Sequence, residues 1–139
     1  MNPEIEGNIV QVKEKITADP FARHLGMRFL EVRPGYALVE MTVPAWLCNF
    51  HGGAHGAAIF AVADVAFSAA SNAGGTVAVA LSVTITYLQA PPPGAVLTAE
   101  AAEESEGRRT RLYRVKVRDE KNNLIAIFEG LVYRKGEHR

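Results

Sequence analysis

The chain has 139 residues, with 15 basic side chains balancing 15 acidic ones, 48% hydrophobic residues and a single cysteine, Cys48. That length makes one domain, spanning 1–139, with material for one buried core. The zero formal charge excludes bulk attraction to nucleic acid or to an anionic membrane. A lone cysteine excludes an internal disulfide framework and fits a reducing cytoplasm.

Residues 1–19 come first. Ile5, Ile9, Val12 and Ile16 recur at helical spacing and predict an amphipathic helix ending near Asp19-Pro20. The opening residues have no basic, apolar leader, so a cytoplasmic, water-soluble protein is expected. Two strand-like runs follow, Met27 to Val32 and Tyr36 to Val43, joined by the turn Arg33-Pro34-Gly35. Asn49 to Gly56 is a loop dense in Gly and His.

From Ala57 to Ala73 the residues are small and apolar, and Gly74-Gly75 is a natural helix stop. A helix apolar nearly all round must be wrapped by something. Thr76 to Leu88 then alternates strictly, with Val77, Val79, Leu81, Val83, Ile85 and Tyr87 on one face. After Pro91-Pro92-Pro93-Gly94 come strands at Val96–Glu104, Thr110–Asp119 and Leu124–Tyr133, and residues 135–139 are expected to form a flexible tail. The order predicts an α+β fold, a central helix on a mostly antiparallel sheet.

Between Glu40 and Glu100 the only formally charged side chain is Asp64, and its immediate neighbours are all apolar. An ionised carboxylate there is costly unless it is hydrogen-bonded, paired or set at a wet cleft. It is therefore either a structural cap or a site. Eight residues upstream, the glycines of Asn49–Gly56 let backbone approach a ligand, and a helix start offers unpaired N–H donors suited to an oxyanion. The plainer alternative is a flexible loop entering a helix. His51, His55 and Asp64 suggest a metal set, but the histidines lie in a loop and no third His or Cys has ligand spacing, so no metal is expected. Cys48 reads as a small core residue rather than a nucleophile.

Asn49-x-His51-x-x-x-His55-Gly56, then Phe60, Ala63-Asp64 and Ala66-Phe67, resembles the hotdog-fold thioesterases of the phenylacetate-degradation (PaaI-like) family. The resemblance continues through Asn72-x-Gly74, Thr84-Ile85-Thr86-Tyr87-Leu88, Pro93-Gly94 and Gly107-Arg108-Arg109-Thr110. It spans roughly Phe21 to Arg134. It implies a hotdog fold, in which a curved antiparallel sheet wraps the central helix, and hydrolysis of acyl-CoA thioesters without a metal or other cofactor.

By that resemblance Asp64 is the base or nucleophile, the Gly56 N–H polarises the thioester oxygen, and Asn49 holds the water or the carbonyl. His55 is the fourth catalytic candidate. In an alternative reading, a hotdog 3-hydroxyacyl-thioester dehydratase, it pairs with Asp64 to move a proton. A non-catalytic acyl-CoA binding protein is the second alternative. Two departures stand out: Ala57 replaces a usual glycine, and Ala80 occupies the place of a water-orienting serine, leaving Ser82 as candidate. Phe60 and Phe67 are expected to line a pocket for an aryl or medium-chain acyl group of phenylacetyl type. Arg108, Arg109 and Arg111 are expected to hold the CoA phosphates. Gly56 and Asp64 lie eight residues apart, roughly 12 Å along a helix, so one site must draw on two antiparallel helices. The expected assembly is a homodimer at least, extended to a homotetramer as a dimer of dimers.

Overall fold

The structure, a computed structural model, describes residues 3–105 and 107–137. Residues 138 and 139 of the expected tail, and the side chain of Ile5, lie outside the described residues.

Helix α1 spans Pro3–Thr17. Its anchor is Val12, buried to 2% exposure, with Ile16 packed on the core. The Thr17 hydroxyl donates back to the Lys13 carbonyl at 3.0 Å, and Asp19 then accepts the Ala22 N–H at 2.9 Å. That cap, with Pro20 in the first turn, starts a short helix α2, Pro20–His24, which the apolar spacing had not indicated. Strands β1 (Arg28–Arg33) and β2 (Tyr36–Thr42) form a hairpin whose turn uses Gly35 at φ 77°. A single 3-10 turn, Ala45–Leu47, leads into the loop before α3, Gly56–Asn72. Strands β3 (Thr76–Tyr87), β4 (Val96–Glu103), β5 (Thr110–Arg118) and β6 (Leu124–Glu137) complete the chain.

The six strands form one antiparallel sheet in the order β1-β2-β4-β5-β6-β3. Ten of the 17 residues of α3 are buried. Ile59, Val62 and Phe67 meet Val39, Met41, Leu97, Val115 and Phe128 from the sheet. Each large side chain stabilises the fold by about 1.5–3 kcal/mol through burial. The interspersed alanines let the sheet close tightly around the helix. No helix among the described residues is long and apolar enough to cross a membrane.

Three expectations need correction. Residues 135–137 belong to β6, paired with the start of β3 (Val77 with Gly136, Thr76 with Glu137), rather than to a loose tail. The alternation along β3 is broken, because Ala80 pairs with Val132 and Ser82 with Leu131, leaving Leu81 as the extra residue of a bulge. Ala78 and Ala80 therefore share the face that Val83 and Ile85 take after the bulge, and Ser82 is turned to the other face. Finally, α3 is not apolar all round. A stripe of Phe60, Asp64, Ser68, Ser71 and Asn72 remains half-buried or exposed.

Candidate active site

At the start of α3 the loop is ordered by its own side chains. Asn49 Oδ1 accepts the N–H groups of His51 (3.0 Å) and Gly53 (3.4 Å), an Asx-type turn. His55 is the N-cap: its Nδ1 accepts the Ala57 N–H at 3.0 Å, and its carbonyl accepts those of Ala58 and Ile59. In the first turn of the helix, only the Gly56 N–H is left without a hydrogen-bond partner among the described residues. Tyr87 stands over it: its hydroxyl donates to the Gly56 carbonyl at 3.2 Å, and a Cβ on Gly56 would lie 3.4 Å from the ring. Tyr87 was noted as a strand residue only. Its last place on β3, opposite the helix start, is a matter of sheet topology.

Asp64 lies two turns further along α3. Its half-buried carboxylate has no hydrogen bond or ion pair among the described residues, and burial raises its pKa above the ordinary 3.8. It opens into a cavity of about 430 Å³ shared with Ile16, Phe21, Phe29, Ser68 and Asn72. Asp64, Ser68 and Asn72 are spaced by four and so lie in line on one helix face, a polar stripe the sequence displayed.

One chain does not unite the expected residues. Asn49, His55 and Gly56 cluster at the helix start, while Asp64 faces a cavity that none of them lines. The two phenylalanines part ways. Phe60 is half-buried, its ring edge-on to Phe128 at 5.5 Å. Phe67, by contrast, is core: 2% exposed, it packs on Phe128 and Tyr113, and a Cβ at Gly130 would come within 2.5 Å of it. It is withdrawn from the acyl pocket. Ser82 is exposed beyond the bulge and lines no part of the Asp64 cavity.

The arginines also divide. Arg111 is committed within the chain, its Nη1 3.1 Å from Glu103 and its Nε donating to the Gly107 carbonyl at 2.9 Å. Arg108 and Arg109 are exposed, and among the described residues only their carbonyls are bonded, both by Arg134. Cys48 is half-buried with its Sγ 3.8 Å from the Pro44 carbonyl. Among the described residues no three His, Cys, Asp or Glu side chains converge as a metal site would require.

The sequence profile of the Thioesterase superfamily matches residues 51–126. The acyl-coenzyme A thioesterase PaaI of Escherichia coli is 36% identical over 118 residues, covering 85% of this chain and 84% of that protein. The structure of E. coli PaaI superposes with a TM-score of 0.89, covering 96% of this chain and 97% of that one at 31% identity. A mutant of the phenylacetic acid degradation protein PaaI from Thermus thermophilus is 44% identical with a TM-score of 0.81, covering 84% of this chain and 100% of its own. A Streptococcus mutans protein bound to acetyl CoA matches at 25% identity and a TM-score of 0.78, covering 81% of this chain and 91% of that one. This chain, with its central helix wrapped by a six-stranded antiparallel sheet, belongs to the thioesterase superfamily as a PaaI-like hotdog thioester hydrolase.

Proposed function

We propose that the protein hydrolyses acyl-CoA thioesters carrying an aryl or medium-chain acyl group, with Asp64 as base or nucleophile and the Gly56 N–H of a second copy as oxyanion donor. The observation that carries this reading is a carboxylate left without a partner among the described residues, made more basic by burial and opening into a cavity. A desolvated carboxylate either takes a proton from water or attacks the carbonyl carbon itself. On the first route the water oxygen bonds to the thioester carbon, the C–S bond breaks, and the proton passes to the departing thiolate. The N–H at the start of α3, unpaired among the described residues and aided by the helix dipole, would stabilise the developing oxyanion.

The second copy is required because Gly56 and Asp64 of one chain stand roughly 12 Å apart. Edge strand β3 offers it a surface, with Val79, Leu81 and Tyr87 exposed along a strand that has no neighbour on one side among the described residues. The assembly proposed is a homodimer, doubled to a dimer of dimers, as the family resemblance implies. Arg108 and Arg109 are the cations offered to the CoA phosphates. The names of two relatives, an acyl-coenzyme A thioesterase and a protein holding acetyl CoA, support the substrate class.

Thiol release measured across a panel of acyl-CoAs tests this. Wild type should turn over aryl and medium-chain members, and Asp64→Asn should keep the fold and lose turnover by a factor of hundreds. A variant retaining more than about a tenth of wild-type turnover would make Asp64 structural.

A further inference from the structure

We infer that the α1–α2 segment is the selectivity wall of the acyl site: Ile16 and Phe21 bound the chamber beside Asp64 and set the longest acyl group accepted. The inference rests on the thioesterase reading and moves the acyl site from Phe60 and Phe67 to a different part of the molecule. The cavity at Asp64 is walled on one side by α3, through Val65 and Ala69, and on the other by Ile16, Phe21 and Phe29, with the charged Lys15 and Asp19 beside them. It follows α3 from Asp64 past Ser68 to Asn72, two helical turns or roughly 12 Å. At the Asn72 end the amide bridges to β3, accepting the Ala78 N–H at 2.9 Å and donating to the Ala78 carbonyl at 3.1 Å. An acyl chain with its carbonyl at Asp64 would run along this groove against Ile16, Phe21, Phe29, Val65 and Ala69.

The wall is held in place from outside the chamber. Val12 anchors α1 in the core, and Asn8 packs against Gly75, where a Cβ would meet its amide nitrogen at 2.7 Å. Ile16 follows Val12 by one turn and so faces the same way. Phe21 remains 54% exposed although it lines the cavity, so its ring has apolar surface still to bury. Neither residue belongs to α3, which carries Asp64. Changing the wall should therefore change which acyl group is chosen.

The test uses Phe21→Ala to open the chamber and Ile16→Phe to narrow it, each checked for folding by thermal unfolding. kcat/KM is measured for acetyl-, hexanoyl-, decanoyl- and phenylacetyl-CoA. The decanoyl-to-acetyl ratio should rise at least about tenfold in Phe21→Ala and fall comparably in Ile16→Phe. The same series is titrated calorimetrically into Asp64→Asn carrying each wall change, with free CoA as control. The acyl-CoA affinities should reorder in the same sense and CoA affinity should hold. Unchanged ratios and affinities in folded variants would overturn the wall. If wild type releases thiol from no substrate, the hydrolase reading fails, and the titrations still decide whether the wall selects acyl groups.

Discussion

Asp64 is held in a position that costs the fold something. Burial raises its pKa above 3.8, so the folded state favours the neutral acid. The stabilisation from that preference is complete below the ordinary carboxylate value and is lost as pH rises through the raised one. At neutral pH the ionised group is a net cost, and Asp64→Asn removes it. The melting temperature of the variant should match or exceed that of wild type at pH 7.5, with the advantage shrinking toward pH 4. A variant clearly less stable at pH 7.5 would mean that the carboxylate has a partner. The same shift places the acid limb of wild-type kcat/KM above pH 3.8. Gly130 is a second fixed point. Any side chain there runs into Phe67, so Gly130→Ala should lose about 1–3 kcal/mol of stability in denaturant unfolding, and Phe67→Leu in the same chain should recover part of it. Asp64 was legible because it is the only formal charge in a long apolar stretch. Phe60 and Phe67 have similar local surroundings in the sequence. Which of them is core depends on a glycine more than sixty residues away, although a glycine inside a strand pattern does signal a close approach.

Among the elements, the β4–β5 connection holds one arginine committed to the fold and two exposed ones. Arg111 and Glu103 are both mostly buried, and Glu103 Oε1 has no directed hydrogen bond although Arg111 Nη1 is 3.1 Å away. Removing the guanidinium leaves that carboxylate stranded, so Arg111→Ala should destabilise the fold by about 1–2 kcal/mol, a value below that of a fully buried pair because both groups keep some solvent. Arg108→Ala and Arg109→Ala should leave stability within about 0.5 kcal/mol and instead weaken CoA binding, most visibly at low salt. If Arg111→Ala is neutral, or if the two exposed arginines prove indifferent to CoA, this division is wrong. The elements themselves were largely readable, because hydrophobic period and Gly-Pro punctuation are local signals. The bulge at Leu81 was not, since the sequence alternates straight through it and only the pairing with β6 displaces a residue. Helix α2 was missed because five residues carry too little periodicity to register.

For the whole molecule, the sequence order already placed Gly56 and Asp64 on one helix, roughly 12 Å apart, a gap that a single chain does not easily span. In the proposed dimer, two α3 helices packed antiparallel about a two-fold axis would close that gap, because each N-terminus would meet the middle of the other. Two inactive variants test this. Gly56→Pro deletes the unpaired N–H at the first helical position, where proline is tolerated. His55, with φ −63° and ψ 141°, already has the extended backbone that a residue before proline needs. Of the added ring carbons, Cβ would sit at ordinary contact distance, 3.4 Å, from Tyr87. Asp64→Asn removes the carboxylate. Each homodimer should be inactive. Co-expressed, the mixed dimer holds one doubly damaged site and one intact site, built from Gly56 of one copy and Asp64 of the other. Random pairing makes half the dimers mixed, so thiol release should return to roughly a quarter of wild type. Native mass measurements on the co-expressed sample report whether mixed dimers form. Mixed dimers without activity would confine each site to one chain, and the assignment of either Gly56 or Asp64 would then fall.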